Sequence, residues 1–173
     1  MTEEDTTNKI GKYFGWIAWI LAIGLLVFFF QEILEQQQNP NSSPKNYLSD
    51  NGLNEVHLKR NKQGHYLTVG KINQQSVIFL LDTGATDVSI PEHIAEKLNL
   101  PRYNSYQVST ANGNTQVYRS KINELNIGDI SLYNVEANIN PSFNSDEILL
   151  GMSALKQLEL HQSGKTLILR EQK

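Results

Sequence analysis

One acidic residue stands where it can do chemistry. Asp82 directly follows the apolar run 77–81 and is itself followed by Thr83 and Gly84. Five apolar residues in succession predict a strand that is buried on both faces. A carboxylate at the end of such a strand is costly unless it is hydrogen-bonded or paired. Two interpretations are therefore open: an acid held for acid–base chemistry, or a strand–turn–strand in which Asp82 and Gly84 only shape the turn.

Other side chains that commonly carry chemistry are missing or scattered. The 173 residues include no cysteine, which excludes disulfides, a thiol nucleophile and a cysteine-based zinc site. The four histidines lack the spacing of metal ligands, and there is no glycine-rich phosphate loop with a lysine. A net charge of −3 gives no basic face, so no nucleic-acid partner is expected. We predict neither a metal nor a cofactor.

The N-terminal region predicts a membrane anchor. Residues 13–30 carry no charge, and with the apolar residues just beyond them they are long enough to span a bilayer. Trp16 and Trp19 lie toward one end, as interfacial aromatic residues do. The alternatives are a buried core helix, which would show a polar stripe, and a cleaved signal peptide, which would have a shorter apolar run and a cleavage site. We expect an uncleaved single-pass helix over 13–34.

The basic residues around this helix predict its orientation. Lys9 and Lys12 closely precede it, whereas the next lysine after it is Lys45. Lysine and arginine favour the cytoplasmic side of a membrane, so residues 1–12 are expected to form a cytoplasmic tail. The chain is then an inner (cytoplasmic) membrane protein whose folded domain faces the periplasmic or extracytoplasmic side.

A polar segment follows the predicted helix. Residues 35–51 are rich in Gln, Asn, Ser and Pro, a composition that cannot bury a core and predicts a flexible linker. Asn41 begins an Asn-Ser-Ser glycosylation sequon, a triplet that often occurs by chance.

Residues 52–173 have the pattern of an all-β domain. Short alternating stretches are separated by turn signals such as Gly128-Asp129, and the chain is predicted to close with a hairpin around Gly164. Two short helices are predicted at 92–98 and 152–158. This pattern is typical of a small closed or sandwiched β fold. The strand–turn–strand–helix of 77–98 and the strand–glycine–helix of 147–158 are candidates for the two halves of a duplicated motif.

Three blocks in this domain resemble the retropepsin-like (clan AA) aspartic protease family. They are Phe79-Leu-Leu-Asp-Thr-Gly-Ala-Thr86, Thr110-Ala-Asn-Gly113 and Ile148-Leu-Leu-Gly-Met-Ser-Ala-Leu155. In this order and spacing they look like bacterial membrane-anchored members of the family. The resemblance covers 52–173. It implies an all-β, half-pepsin closed barrel with one or two short helices, preceded by a single transmembrane helix.

The resemblance implies an aspartic endopeptidase. Such hydrolases activate a water between two carboxylates that share one proton. The chain has one Asp-Thr-Gly, so the resemblance implies a homodimer in which two Asp82 carboxylates meet at a two-fold axis and cleave a bound peptide. The alternative is a catalytically silent module that keeps the fold to bind peptides or to act as a scaffold.

The same resemblance assigns roles around the catalytic Asp82. Thr83 and Gly84 support the active-site loop, Thr83 by a bond across the dimer. Ala85 and Asp87 line the cleft beside the substrate, although Asp87 is also read as a solvated loop acid. The tip of a flap that closes over the peptide, or an ordinary hairpin turn, is formed by Ala111, Asn112 and Gly113.

Two positions depart from the viral members of the family. Those enzymes have an arginine after the glycine of the third block, where it ties the subunits together, and here the residue is Met152. The flap segment is also poorer in glycine. Both departures bear on the strength of the dimer and the mobility of the flap.

Overall fold

The computed structural model describes residues 3–49, 51–110 and 113–172. The chain divides into two compact units, Met1–Gln37 and Gln38–Lys173. The elements in chain order are α1 (Glu3–Gln38), β1 (Lys45–Leu48), β2 (Asn54–Lys59), β3 (Leu67–Ile72), β4 (Gln75–Leu81), β5 (Val88–Pro91), α2 (Glu92–Lys97), β6 (Ser105–Thr110), β7 (Gly113–Ile127), β8 (Ile130–Asn140), β9 (Glu147–Leu150), α3 (Met152–Leu155), β10 (Leu158–Ser163) and β11 (Thr166–Glu171).

The first unit is the apolar helix α1. Within Gly15–Gln38, an 18-residue window reaches a mean hydropathy of 2.3, and no part of that window is buried. This length and composition suffice to cross a membrane, as the sequence predicts. A signal sequence has the same properties, so the anchoring role of α1 stays a prediction.

Six strands of the second unit close into a barrel. They follow the order β3-β4-β9-β5-β8-β7, and β7 returns to β3 through the pairs Lys71↔Asn126 and Ile72↔Leu125. The strand β6 extends from β7 as the outer arm of a hairpin. The predicted all-β closed barrel is confirmed. Its interior is filled by fully buried apolar side chains that include Phe79, Ile90, Ile122, Leu125, Ile148 and Leu150.

A second, four-stranded sheet has the order β1-β2-β11-β10. Val56, Leu58 and Leu169 from its two central strands are fully buried and belong to the same apolar core as the barrel side chains. The hairpin of β10 and β11 turns at Gly164, as the sequence predicts.

Part of the predicted flexible linker is folded. The helix α1 continues to Gln38, and β1 pairs with β2. Asn41 is buried, with 3% of its surface exposed. Its side-chain amide donates to the carbonyl oxygens of Lys59 (2.9 Å) and Leu67 (2.6 Å), and its Oδ1 accepts from the Lys59 amide (2.7 Å). This polar segment thus contributes one buried side chain, that of Asn41, which joins β2 to β3. Its side-chain nitrogen, the atom that glycosylation of the sequon would modify, is already hydrogen-bonded.

The apolar strand before Asp82 is buried on one face only. Phe79 is fully buried in the barrel, whereas Ile78 and Leu80 are half-buried. These two side chains alternate with Phe79 and point away from the barrel interior. The sequence prediction of burial on both faces is therefore wrong for the single chain.

The second short helix is shorter than predicted. The segment 152–158 was expected to be helical, but α3 ends at Leu155 and β10 begins at Leu158. Leu158 is buried at the start of the terminal hairpin, so strand pairing there replaces a further helical turn.

Candidate active site

Asp82 lies in a tight turn that continues the pairing of β4 with β9. Its amide donates to the Leu150 carbonyl (3.1 Å), one residue beyond the pair Leu81↔Leu150. Its Oδ1 accepts from the Gly84 amide (2.9 Å), and its carbonyl accepts from the Ala85 amide (3.2 Å). The side chain is half-buried, so this hydrogen bond to a carboxylate oxygen offsets part of the cost of removing it from water.

Backbone hydrogen bonds from α3 hold the loop that follows. The amide of Met152 donates to the Ala85 carbonyl, and the amide of Ser153 donates to the Thr86 carbonyl, both at 2.8 Å. These amides lie at the start of a helix and would otherwise have no partner within it. The loop therefore rests on a rigid element of the fold.

Gly151 permits this close approach. A Cβ added at this position would overlap the Asp87 carbonyl oxygen and lie 2.8 Å from that of Ala85. The φ of Gly151 is −87°, which any residue can adopt, so the requirement comes from space and not from backbone conformation.

The Ser153 hydroxyl ties the same region together. It accepts from the Val88 amide (3.0 Å) and donates to the Glu136 carbonyl (2.7 Å), and only 7% of the residue is exposed. These bonds fix the start of β5 and the middle of β8 to α3. Both hydrogen-bonding capacities of the buried hydroxyl are thereby used.

A second turn with the same hydrogen bonds begins at Asn140. Asn140 follows the pair Ile90↔Ile139 at the end of β8. Its Oδ1 accepts from the Ser142 amide (3.0 Å), and its carbonyl accepts from the Phe143 amide (3.2 Å). The residue is 9% exposed.

The two turns and the β6–β7 hairpin enclose a cleft of about 650 Å³. Its walls are mostly uncharged polar and small residues, with a few apolar side chains, and Asp82 is the one acidic or basic residue among the described residues that line it. The lining residues are Asp82, Gly84, Ala85, Ser109, Thr110, Gly113, Asn114, Thr115, Asn140, Ser142, Phe143 and Leu149. A carboxylate in a groove of this size can act as a general acid or base on a bound ligand.

The structure brings four of the predicted site residues together. Asp82, Gly84, Ala85 and Gly113 all line the cleft. Gly113 has a φ of +105° and pairs with Thr110 where the hairpin narrows. The predicted flap residues Ala111 and Asn112 lie outside the described residues.

Two predicted site residues do not line this cleft. Thr83 is exposed beside Asp82. The Asp87 carboxylate accepts a hydrogen bond from the Tyr106 hydroxyl (3.0 Å) and lies in a neighbouring pocket. Burial and the bond to Asp87 raise the pKa of Tyr106 above its usual range. Asp87 is thus half-buried and hydrogen-bonded to a side chain of β6.

Sequence reasoning missed the wall formed by the loop 141–146. Asn140, Ser142 and Phe143 carry no recognisable motif, yet they face the cleft with Leu149. The suspected duplication of 77–98 and 147–158 did not include this loop, so it did not indicate a role for it.

Two of the four histidines contact an acidic side chain. His57 contacts Glu55 (3.1 Å) and His93 contacts Asp146 (3.6 Å). Within the described parts of the chain, no three His, Asp or Glu side chains are grouped so that they could hold a metal ion.

A family model supplies the decisive comparison. The model of gag-polyprotein putative aspartyl proteases matches residues 68–157, just over half of the chain. The match contains the Asp82 turn, the β6–β7 hairpin, the Asn140 turn and Gly151. The chain belongs to this aspartyl protease family.

Two curated relatives of this aspartyl protease family member are uncharacterized proteins. One, encoded in the cobV 5′ region of Sinorhizobium sp., is 34% identical over 114 residues, which are 64% of this chain and 49% of the relative. The other, from Rickettsia prowazekii, is 28% identical over 121 residues, which are 68% of this chain and 51% of the relative. The chain thus spans about half the length of the curated relatives it matches.

A crystal structure gives the same fold. It is that of a retropepsin-like aspartic protease from Rickettsia conorii, which matches with a TM-score of 0.58 and 26% identity. The match covers 75% of this chain and 96% of that protein. The resemblance to retropepsin-like aspartic proteases that the sequence indicates is confirmed.

Proposed function

We propose that this protein is a membrane-anchored aspartic endopeptidase that acts as a homodimer. The observation that carries the proposal is the position of Asp82, the one acidic or basic residue among the described lining residues of a groove large enough for a peptide. One carboxylate cannot form an aspartic dyad, so the second is supplied by Asp82 of another copy.

The proposed reaction is hydrolysis without a covalent intermediate. One Asp82 carboxylate takes a proton from water, and the water oxygen attacks the carbonyl carbon of the scissile peptide. The other carboxyl group gives its proton to the carbonyl oxygen. The neutral diol intermediate then collapses and the C–N bond breaks. The leaving nitrogen receives the proton that the first carboxyl took from water, and a diol hydroxyl returns its proton to the second carboxylate, which restores the dyad.

Neighbouring residues would position the carboxylates and the peptide. The Gly84 amide holds one oxygen of Asp82 at 2.9 Å, which limits the rotation of the carboxylate. Thr83, which is exposed, would bond across the dimer. Ala85 would contact the substrate backbone, and the flap residues Ala111, Asn112 and Gly113 would close over it. A direct contact of Asp87 with substrate stays a prediction.

Membrane anchoring would favour the dimer. Met152 packs half-buried against the core where viral relatives have a subunit-tying arginine, so that tie is not available here. Holding two copies in one membrane by α1 raises their effective concentration. With Lys9 and Lys12 inside, the protease domain would face the extracytoplasmic side.

Cleavage of a peptide library by the full chain in detergent micelles tests the proposal. We expect Asp82→Asn to lower kcat/KM by about 10²–10⁴-fold, the usual contribution of a positioned acid–base group. Asp129→Asn, the same change in the exposed β7–β8 turn, is the matched control and is expected to have no effect. Equal loss in both variants, or none in Asp82→Asn, would contradict the proposal.

Mixed dimers test the need for two carboxylates. When wild-type and Asp82→Asn chains are mixed in equal amounts and allowed to exchange, about one quarter of the dimers keep both acids. Activity should fall to about that fraction if both are required, and to about one half if each subunit acts alone.

The binding-module alternative has its own signature. A folded dimer that binds peptides without cleaving them, with the same affinity in Asp82→Asn, would support a peptide-binding or scaffolding role. Activity of a strictly monomeric chain would exclude the shared dyad.

A further inference from the structure

The contact between Asp87 and Tyr106 joins two parts of the site. Asp87 is the last residue of the loop that begins at Asp82, and Tyr106 lies on β6, the outer strand of the flap hairpin. The Tyr106 hydroxyl donates to Oδ2 of Asp87 at 3.0 Å. The two side chains lie in a pocket of about 260 Å³, separate from the cleft that Asp82 lines.

The flap strand depends on side-chain contacts for its position. β6 is the last strand of its sheet and pairs with β7 along one edge. Backbone pairing fixes β6 to β7, and β7 pairs with β8 from Tyr118 onward. None of the described strand pairs joins β6 itself to the Asp82 loop. The Tyr106–Asp87 bond connects those two elements directly.

Both ends of this bond are held in place. On the flap side, the Arg119 guanidinium lies 4.8 Å from the centre of the Tyr106 ring, within the range of a cation–π contact. On the loop side, the Asp87 carbonyl packs against Gly151, and the preceding Thr86 carbonyl accepts from the Ser153 amide at 2.8 Å. Because other contacts hold both Tyr106 and Asp87, the hydrogen bond between them fixes the position of β6 relative to the Asp82 loop.

The surroundings favour a strong bond. Asp87 is a charged acceptor, and hydrogen bonds with one ionised partner are stronger than neutral ones. The Asn138 side chain also reaches the Tyr106 hydroxyl, and Asn138 Oδ1 accepts from the Ser89 hydroxyl at 2.8 Å. Burial and Asp87 raise the pKa of Tyr106, so the hydroxyl keeps the proton that it donates.

We propose that Asp87 and Tyr106 are positioning residues that fix the base of the flap hairpin against the Asp82 loop. The hairpin residues that line the cleft, Ser109, Thr110 and Gly113, are then held at a set distance from the Asp82 carboxylate. In this role Asp87 acts through Tyr106 and not through contact with the substrate. This inference rests on the proposed protease function and adds a determinant of substrate binding to it.

Kinetics of the full chain in detergent test the role. Tyr106→Phe removes the donor, and we expect KM to rise by about tenfold while kcat changes by less than about threefold, because flap closure orders the bound peptide. Tyr103→Phe removes an exposed hydroxyl from the same pocket and is the matched control. It should leave both constants unchanged.

Variants of Asp87 separate the indirect role from direct substrate contact. Asp87→Ala should match Tyr106→Phe, while Asp87→Asn keeps an acceptor oxygen and should recover part of the loss. In a Tyr106→Phe background, Asp87→Ala should add nothing, since the two side chains act as one unit. Fully additive losses, or a loss confined to the Asp87 variants, would instead show that Asp87 contacts the substrate and would overturn the proposal.

Hydrogen exchange gives a readout that does not need activity. Without substrate, the amides of 107–110 and 113–117 should exchange about tenfold faster in Tyr106→Phe and Asp87→Ala than in wild type or Tyr103→Phe. Amides of β10 and β11 should be unaffected, which would show that the variants remain folded. If the wild-type protein cleaves no peptide, the protease proposal fails. The hydrogen-exchange rates of the hairpin amides still test whether the Tyr106–Asp87 bond holds the hairpin in place. If wild type cleaves and flap exchange is unchanged in both variants, the link is overturned and the protease proposal stands.

Discussion

The Asp82 turn and the Asn140 turn are built on one plan and differ in one chemical group. Asp82 follows the pair Leu81↔Leu150, and Asn140 follows the pair Ile139↔Ile90. In each turn the side-chain Oδ1 accepts from the amide two residues on, at 2.9 Å for Asp82 and 3.0 Å for Asn140. In each, the carbonyl accepts from the amide three residues on, at 3.2 Å.

This comparison separates turn formation from acid chemistry. The amide oxygen of Asn140 makes the same hydrogen bond as the carboxylate of Asp82, so the turn does not require an acid. Turn chemistry alone therefore does not account for Asp82. A group that can exchange a proton in the cleft does account for it, and this is the role that we propose.

The supports behind the two turns also differ. Gly151 directly precedes α3 behind the Asp82 turn, where a Cβ would overlap the backbone. Pro91 directly precedes α2 and is the strand partner of Asn140, so a full ring is accommodated there. The backbone behind the Asp82 turn thus leaves no room for a side chain, whereas the backbone behind the Asn140 turn accommodates one.

The largest expected effect comes from exchanging the two side chains. Asp82→Asn should lower cleavage by about 10²–10⁴-fold. Its stability should stay within about 1 kcal/mol of wild type, because an amide can hold the turn. Cleavage assays and thermal unfolding of the same preparations measure the two effects. The reciprocal double variant Asp82→Asn/Asn140→Asp should not regain activity, and restored cleavage would show that the two turns are interchangeable.

The packing behind the Asp82 turn gives the next largest effect. Gly151→Ala should lower the free energy of unfolding by about 1–3 kcal/mol, because the added methyl must displace the loop backbone. Denaturant unfolding measures the change. The control is Gly24→Ala, where nothing lies within 4 Å of the added carbon. Wild-type stability in Gly151→Ala would mean that the loop can move away at little cost.

The Ser153 hydroxyl is expected to matter somewhat less. Ser153→Ala leaves the Val88 amide and the Glu136 carbonyl without this partner, at a cost of about 1–3 kcal/mol. Ser142→Ala, in the exposed Asn140 turn, should change stability by no more than about 0.5 kcal/mol. Denaturant unfolding compares the pair, and equal losses would argue against a difference in support between the two turns.

The smallest expected effect concerns Glu55, an acidic residue that does not line the cleft. Its effect on stability must be distinguished from effects of Asp82 when the pH is varied. The hydrogen bonds of Glu55 with His57 and Arg170 lower its pKa below the usual 4.5. Its contribution to stability is therefore complete above about pH 4.5 and is lost as the pH falls through the lowered pKa. Above about pH 4.5, Glu55→Gln should be less stable than wild type. As the pH falls through the lowered pKa of Glu55, the difference between the two free energies of unfolding should disappear. Cleavage at neutral pH should be unchanged.

Local patterns were enough to predict much of the fold and part of the candidate site. Alternating apolar residues and turn signals such as Gly128 and Gly164 mark the strands of the barrel and the terminal hairpin. Asp82, Gly84 and Ala85 were found because a short motif places them beside each other in sequence. In such cases the contacts that fix the structure lie within a few residues.

Other features depend on contacts between distant residues. Asn41 lies in a polar segment, and its burial follows only from the meeting of β2 and β3. Tyr106 and Asp87 are 19 residues apart and are joined by the folding of β6 over the loop. Phe143 faces the cleft because β8 and β9 place its loop there. No local propensity encodes these placements.

The closure of the barrel has a consequence for how the chain folds. Two residue pairs, Lys71↔Asn126 and Ile72↔Leu125, join β3 to β7, and the partners lie more than 50 residues apart in sequence. The hairpins β7–β8 and β10–β11 join near neighbours and lose far less chain entropy on forming. We expect the hairpins to form first and the β3–β7 seam to close late, so that substitutions at the seam speed unfolding more than they slow folding.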